Sequence, residues 1–277
     1  MQKLKASTIK KAIIYIVLIL GTFIMLMPFL WMILTSFKTY KETIAVPITW
    51  FPEKWLLENY TEVLMKLDFI RYYGNTILVT VFTVFFMMFF SAMGAYAFAR
   101  MNFPFKNVIF ALLLTTFMVP PQLTMIPKYL IISQLKWVDT LAGIVVPNIF
   151  SVYSMFLLRQ FFAGLPRELE DAAKIDGCSY FRLFWNISLP LCKSGMVAMM
   201  VLNVLWAWND LLWPLIATST DKLRVLSVGM ATLQGQHGTD YPLLMAAGVM
   251  AVIPMLIIYT IGQKYFIEGI AFTGVKG

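Results

Sequence analysis

The sequence has few charged residues. Asp, Glu, Lys and Arg together make up 13% of the 277 residues, whereas 60% are hydrophobic and the mean hydropathy is +0.77. A soluble domain is about one-quarter charged. The composition therefore excludes an ordinary soluble domain and predicts an integral membrane protein.

Residues that build metal and catalytic sites are equally scarce. The chain has two cysteines, Cys178 and Cys192, and a single histidine, His237. Two cysteines make no disulfide framework, and with one histidine they make a poor metal site. Neither cysteine has a histidine near it in the sequence, so a membrane enzyme would lack a catalytic constellation. We predict no metal and no catalytic residue.

Sequence signals for ATP and nucleic acid are also missing. No Gly-x-x-x-x-Gly-Lys-Ser/Thr phosphate loop occurs in the chain, so we predict that it does not hydrolyse ATP and binds no cofactor. The net charge is +8, but no basic patch is interleaved with aromatic residues in a polar stretch. The charge therefore favours membrane topology and contact with lipids over nucleic-acid binding.

Long apolar runs fill most of the sequence. A helix needs about 20 apolar residues to cross the hydrocarbon core. The predicted spans are 12–34, 75–99, 108–129, 141–162, 195–216 and 243–266. The first span is too long for the apolar part of a signal peptide, so we predict an uncleaved helix. Six spans place both termini on one side, and the excess of basic residues there predicts that this side is cytoplasmic.

The segment 166–190, between the fourth and fifth predicted spans, is the most charged stretch of the chain. Pro166 suits the first turn of a helix, and the acidic residues after it favour the positive end of the helix dipole. Gly177 can take a left-handed conformation and end this helix. Ser179 can cap a second helix, which Pro190 would end. The pattern predicts a cytoplasmic helix–turn–helix.

Two interpretations of this helix pair are open. It could lie on lipid headgroups, with Phe181, Phe184, Trp185 and Ser188 on one face of the second helix. However, the first helix is acidic, and the cytoplasmic leaflet is itself negative. The small side chains of Ala172 and Ala173 instead favour insertion into a groove of another protein, whose basic residues would pair with the acids.

The stretch ELEDAAKIDGCSYFRLFWNISLPL (168–191) combines an acidic-Ala-Ala triplet, an Asp-Gly pair and a later Leu-Pro. In this spacing it resembles the EAA loop of ABC importer permeases. Four other stretches resemble the carbohydrate-uptake branch of that family: ENYTEVL (58–64), GNTILVT (74–80), WAWNDLLWPL (206–215) and GVKG (274–277). The resemblance covers nearly the whole chain and is greatest to the shorter permease subunit of maltose-type and multiple-sugar importers.

The resemblance implies an all-α integral membrane protein with the type I ABC importer permease fold. It implies a single permease domain over 1–277 with six transmembrane helices, a cytoplasmic coupling loop between helices 4 and 5, and a cytoplasmic tail at 267–277. The chain would lie in a bacterial or archaeal cell membrane. It would form half of a heterodimeric translocation path for oligosaccharides of two to four sugar units.

The resemblance also implies partners. A second, different permease subunit would complete the path, and two ATP-binding subunits would bind ATP-Mg and drive transport. An extracellular, periplasmic or lipid-anchored solute-binding protein would deliver the sugar. Because specificity in such systems lies largely in that binding protein, the sequence leaves the identity of the sugar open.

Site residues are implied on the same basis. The residues that would couple the chain to the ATPase are Glu170, Asp171, Ala172, Ala173, Asp176 and Gly177. Asp171 stands where the family has glutamate, one methylene longer, so either its contact with the partner would be altered or Glu170 would assist it. The last residues, Gly274, Val275, Lys276 and Gly277, would form a second ATPase contact, unless they are a disordered end.

Polar residues within the spans are candidates for the translocation path. They are Asn148 and Ser151 in the fourth span, and Asn203, Trp206, Asn209 and Asp210 in the fifth. Asparagine beside tryptophan suits sugar binding, which combines polar hydrogen bonds with aromatic stacking. The alternative is that the tryptophans form an interfacial belt and the asparagines join helices, with the sugar held mostly by the other permease.

Three other functions stay open. An ion-gradient-driven secondary transporter is the main one, although no acidic residue lies well inside a predicted span and no convincing repeat is visible. The others are an ABC permease for glycerol-3-phosphate-like substrates and a purely structural subunit. Uptake that needs ATP and survives collapse of the ion gradient would separate the ABC importer from the secondary transporter.

Overall fold

The computed structural model describes residues 2–235 and 238–274, and the side chains of 10–235 and 238–264. Within these residues the chain is almost entirely helical, as predicted. The α-helices are α1 Gln2–Thr35, α2 Tyr40–Thr43, α3 Glu58–Lys66, α4 Phe69–Arg100, α5 Lys106–Phe117, α6 Met125–Gln134, α7 Leu141–Val145, α8 Val152–Ala163, α9 Arg167–Ile175, α10 Tyr180–Leu183, α11 Leu189–Leu191, α12 Lys193–Trp208, α13 Leu212–Ala217, α14 Leu226–Ala231 and α15 Tyr241–Gly274.

Short elements of other types interrupt these helices. Pro121–Thr124 and Val146–Asn148 are 3-10 helices, and Phe184–Ser188 is a π-helix. An antiparallel hairpin, which the sequence did not predict, pairs β1 (Gln234–Gly235) with β2 (Gly238–Thr239).

In the part of the chain that the structure describes, three helices are individually long and apolar enough to cross a membrane. They are α1 over Lys10–Thr35, α4 over its whole length, and α15 over Tyr241–Lys264. Each contains an uninterrupted apolar run in the sequence. Pro28 in α1 and Pro254 in α15 do not end their helices.

The remaining apolar segments are bent pairs of helices. Lys106–Phe117 meets Pro121–Gln134 at 97°, and Leu141–Asn148 meets Val152–Ala163 at 47°. The predicted spans 108–129 and 141–162 run through these breaks. Proline accounts for the first break, because Pro120 and Pro121 lack the backbone N–H that an unbroken helix needs.

The predicted span 195–216 also differs from the structure, in which α12 ends at Trp208 and α13 begins at Leu212. At the break, the Asn209 side-chain amide donates to the Leu205 carbonyl (2.7 Å), and Asp210 accepts from the Trp213 N–H (3.4 Å). In the other direction, Tyr180–Leu191 meets α12 at 81°. Counting each bent pair as one span gives six spans, and counting the long helices alone gives three.

The chain forms two compact units. The first comprises 1–69 and 229–253. In it, the Asn59 amide donates to the carbonyls of Ser36 and Lys38, both at 2.9 Å. Lys38 is fully buried, with its Nζ donating to the Thr49 carbonyl (2.5 Å) and lying 4.3 Å from the centroid of the Trp31 ring. Burial lowers the pKa of Lys38. The segment after α1 is therefore held by specific polar contacts.

The second unit comprises 70–228 and 254–277. Its main hydrophobic core joins α4, α8, the π-helix and α12. The core residues are Val84, Met88, Ala92, Ala95, Tyr96, Phe98, Met155, Leu158, Phe162, Phe184, Cys192, Met199 and Ala207. Gly195 permits close packing here, because a Cβ at this position would lie 2.6 Å from the Phe161 ring. The coupling segment and the polar cavity described next both belong to this unit.

Candidate coupling segment and polar cavity

The helix–turn–helix predicted over 166–190 begins with α9. Pro166 precedes the helix, and Gly177 follows it with a φ of +78°. The Gly177 N–H donates to the Lys174 carbonyl and the Cys178 N–H to the Ala173 carbonyl, both at 3.0 Å. This pair of bonds is the Schellman arrangement, which needs a left-handed residue at the position of Gly177. The predicted conformation of Gly177 is confirmed.

The inner face of α9 carries a buried ion pair. Glu170 Oε1 lies 3.1 Å from Arg100 Nε, and the two side chains are 6% and 3% exposed. The same carboxylate oxygen accepts from the Ser188 hydroxyl at 3.0 Å, and Arg100 also donates to the Leu165 carbonyl at 2.5 Å. Ala173 lies on this inner face and is 9% exposed. The Arg100 guanidinium and the Glu170 carboxylate thus connect the end of α4, the residue Leu165, α9 and the π-helix.

The outer face of α9 is open. The Asp171 side chain is 64% exposed and pairs with Lys174 within the same helix at 3.2 Å. Ala172 and Asp176 are exposed, and Ile175 is 87% exposed. Of the six residues that the resemblance implied for partner contact, Glu170 and Ala173 face the interior of the chain. Their contact with a partner stays a prediction, and it would require both residues to leave the bonds and packing described above.

The second helix begins as predicted, with Ser179 accepting from the Arg182 N–H at 3.4 Å. The predicted common face of its aromatic residues was wrong. Phe184 and Ser188 are buried, whereas Phe181 and Trp185 are exposed. The π-helix at Phe184–Ser188 interrupts the α-helical register on which that prediction relied.

A small polar cavity brings together three of the six residues predicted for the translocation path. Asn148, Trp206 and Asp210 line it, together with Thr76, Val79, Thr83, Ile144, Ala207, Pro214 and Val225. About 10 Å³ is open to the centre of a water-sized sphere, which is enough for about one water molecule. The cavity is therefore closed to a sugar in this conformation.

The other three predicted path residues lie elsewhere. Asn203 is buried, and its amide nitrogen donates to Ser154 Oγ (3.0 Å) and contacts Met88 Sδ (3.2 Å). Ser151 caps α8 by accepting from the Ser154 N–H. Asn209 bonds to its own helix at Leu205. Asn203 joins helices, as the alternative interpretation proposed for the asparagines, whereas Ser151 and Asn209 hold the ends of their own helices. Their place in a translocation path stays a prediction.

Several residues of the coupling segment and of the polar cavity were not predicted from the sequence. Arg100 is one of the basic residues at the ends of the predicted spans, where arginine and lysine are ordinarily signals of topology, and nothing in the sequence pairs it with an acid. Ser188 is predicted only as part of an amphipathic face. Thr76 and Thr83 are polar residues within a predicted span, so the rule that singled out Asn148 applied to them as well.

Some predicted residues lie outside the described part. Gly274 is the last residue of α15, so the backbone predicted as a tail from 267 is helical to that point. Val275, Lys276 and Gly277 are beyond the described residues. Among the residues that the structure does describe, no group of three or more His, Cys, Asp and Glu side chains is placed to hold a metal ion.

Comparison with known proteins places these features in context. The profile of the family described as binding-protein-dependent transport system inner membrane component matches residues 91–271. The chain is 34% identical over 278 residues to the arabinooligosaccharides transport system permease protein AraQ of Halalkalibacterium halodurans, covering 99% of this chain and 100% of that protein. It is 30% identical over 268 residues to the sn-glycerol-3-phosphate transport system permease protein UgpE of Brucella abortus, covering 94% and 95%.

A solved structure shares the fold. A chain from a bacterial ABC transporter involved in the import of the acidic polysaccharide alginate matches with a TM-score of 0.80 and 22% identity. The match covers 94% of this chain and 98% of that chain. The predicted fold is confirmed.

Proposed function

The chain belongs to the family of binding-protein-dependent transport system inner membrane components, and from this we propose that it is one permease subunit of an ATP-driven importer of oligosaccharides. Full-length similarity to a permease named for arabinooligosaccharides supports the proposal. We take the substrate to be an uncharged oligosaccharide of two to four units.

Full-length similarity to the arabinooligosaccharide permease carries the choice of substrate class, and it is supported by the lining of the polar cavity. The lining offers hydroxyl, amide, indole and carboxylate groups, and none of its ten residues is basic. A phosphate is held by cationic or charge-assisted donors, whereas the charged group in this lining is the carboxylate of Asp210, which Lys128 outside the lining partly offsets. The lining therefore favours a neutral sugar over glycerol 3-phosphate, although a relative is named for that substrate.

The outer face of α9 supports the second part of the proposal, contact with an ATP-binding subunit. Asp171, Ala172, Ile175 and Asp176 offer two carboxylates and a small apolar surface to a groove on that partner. The chain is a multi-pass cell membrane protein, and we propose six crossings with both termini in the cytoplasm. We further propose that a second, different permease, two ATP-binding subunits and a solute-binding protein complete the importer, with ATP-Mg bound by the ATP-binding subunits alone.

Transport by the reconstituted complex tests the function. Proteoliposomes that hold the complete importer would be loaded with ATP and treated with ionophores that collapse ion gradients. We expect uptake of radiolabelled arabinotriose or maltotriose that needs ATP, with no uptake of glycerol 3-phosphate. Uptake that needs an ion gradient and not ATP would contradict the proposal, and uptake of glycerol 3-phosphate alone would contradict the substrate class.

A further inference from the structure

We propose that the buried pair Arg100–Glu170 is the positioning element that makes α9 and the long helix α4 move as one body, so that displacement of the coupling segment reaches the membrane-spanning part of the chain. The inference rests on the proposed function, because it concerns how a contact made by α9 is used. It goes beyond that function by giving Arg100, which lies at the end of α4, a role in coupling.

The pair is suited to this role because its contacts join α4 to α9 and to the π-helix. Arg100 is the last residue of α4, and its guanidinium contacts Glu170 on α9 and the Leu165 carbonyl just before α9. Glu170 in turn accepts from Ser188 at the end of the π-helix, which leads through α11 towards α12. Displacement of α9 is thereby opposed by two contacts with Arg100 of α4, one at Glu170 and one at Leu165 just before α9.

Burial makes this connection stiff. Both side chains are almost completely shielded from water, so neither group can exchange its partner for solvent without a large penalty. The exposed pair Asp171–Lys174, one residue further along α9, has no such constraint, because water can replace either partner. Of these two acids of α9, Glu170 therefore faces the membrane-spanning helix α4 and Asp171 faces solvent.

The same geometry would suit a pair that only stabilises the fold. A set of variants distinguishes a role in coupling from a purely structural role. Glu170→Gln keeps the shape and the bond to Ser188 but removes the charge. Arg100→Met with Glu170→Met replaces the pair by apolar side chains, a change that buried pairs often tolerate. Arg100→Lys keeps the positive charge, and Glu168→Gln removes an exposed charge from the same helix as a control.

The first readout is transport of radiolabelled arabinotriose per ATP hydrolysed by the complete importer in proteoliposomes. We expect Glu170→Gln and the Met/Met double variant to lower this ratio by about tenfold, the upper part of the range for mutations that alter coupling. The amount of assembled Met/Met complex should stay near that of the wild type, Arg100→Lys should recover part of the ratio, and Glu168→Gln should leave it unchanged. Full coupling in the Met/Met variant would overturn the proposal.

The second readout does not depend on the sugar. Spin labels at Met93→Cys on α4 and Glu168→Cys on α9, in a Cys178→Ser and Cys192→Ala background, report the distance between the helices in the full complex. We expect one narrow distance distribution that is the same without nucleotide and with ATP and vanadate, and a broadened or shifted one in Glu170→Gln and in Met/Met. A distribution as narrow as that of the wild type in both variants would overturn the inference.

The two readouts separate the inference from the function. If the wild-type complex fails to transport any oligosaccharide, the proposed function fails, and the spin-label distances still decide whether the pair joins α9 to α4.

Discussion

Neighbouring carboxylates on the two faces of α9 differ in burial and in their partners. Glu170 is buried, paired with Arg100 and bonded to Ser188, whereas Asp171 is mostly exposed and pairs with Lys174 of its own helix. A buried charge is expensive to leave unpaired, and an exposed one is nearly free to change partner. The difference teaches that one helix can be fixed to its own chain on one side and remain available to another protein on the other.

The largest expected effect comes from breaking the inner face. Arg100→Met leaves Glu170 buried without its cation, and we expect the free energy of unfolding to fall by about 3–5 kcal/mol. Thermal unfolding of the purified complex would show this as a lower Tm. Arg182→Met, at an exposed arginine of the next helix, is the control and should leave Tm nearly unchanged. Equal Tm values for the two variants would mean that the inner pair does not stabilise the fold.

A smaller effect on the same face is expected from Ser188→Ala. It removes one hydrogen bond to a charged acceptor, which is worth about 1.5–3 kcal/mol. The comparison is Ser194→Ala, a half-buried serine of α12. Thermal unfolding should rank the variants as Arg100→Met, Ser188→Ala and Ser194→Ala, from the least stable to the most stable. Equal stability of the Ser188→Ala and Ser194→Ala complexes would contradict this ranking.

The junction between the two helices should respond to Gly177→Val. A left-handed conformation costs about 1–2 kcal/mol for a residue with a Cβ, and the space around a Cβ at this position is empty, so backbone strain is the whole effect. We expect the subunit to fold while ATP hydrolysis is uncoupled from uptake. Gly177→Asn should be milder, because asparagine tolerates this conformation. Normal uptake by Gly177→Val would contradict the role of the turn.

The outer face should show the smallest effect on stability and a clear effect on transport. Asp171→Asn removes an exposed pair, so we expect a change of about 0.5 kcal/mol or less in the free energy of unfolding. Uptake should still fall, because the proposed contact with the ATP-binding subunit loses its charge. Asp171→Glu keeps the charge and adds the methylene that the family has, and uptake should be retained. A loss of stability in Asp171→Asn that matches the loss in Arg100→Met would erase the distinction between the faces.

Short-range sequence preferences predicted the helix ends and the turn of the coupling segment. The start of α9 directly after Pro166, the left-handed Gly177 and the Ser179 cap follow from preferences of single residues and their nearest neighbours. The pairing of Glu170 with Arg100 could not be predicted, because it joins residues far apart in the sequence and nothing local distinguishes Glu170 from Asp171. The resemblance therefore implied both acids for one contact.

Hydropathy likewise located the apolar segments but not their breaks. Asn209 and Asp210 interrupt the apolar run where α12 gives way to α13, but two polar residues lower its mean hydropathy too little to end a span predicted from apolar content. The break depends on side-chain bonds of Asn209 and Asp210, and that geometry also places Asp210 in the cavity lining. Asn148 and Asp210 line the cavity from such breaks, and three of the six predicted residues do not line it.

Crosslinking from two adjacent alanines tests the central claim most directly. Ala172 is exposed on the outer face of α9 and Ala173 is buried on the inner face, so Ala172→Cys and Ala173→Cys differ in environment and hardly in chemistry. In the complete importer, with Cys178 and Cys192 replaced, a short thiol–amine crosslinker should join Ala172→Cys to the ATP-binding subunit and leave Ala173→Cys unlinked. Equal crosslinking from both positions, or none from Ala172→Cys, would contradict the claim that the outer face of α9 is the docking surface.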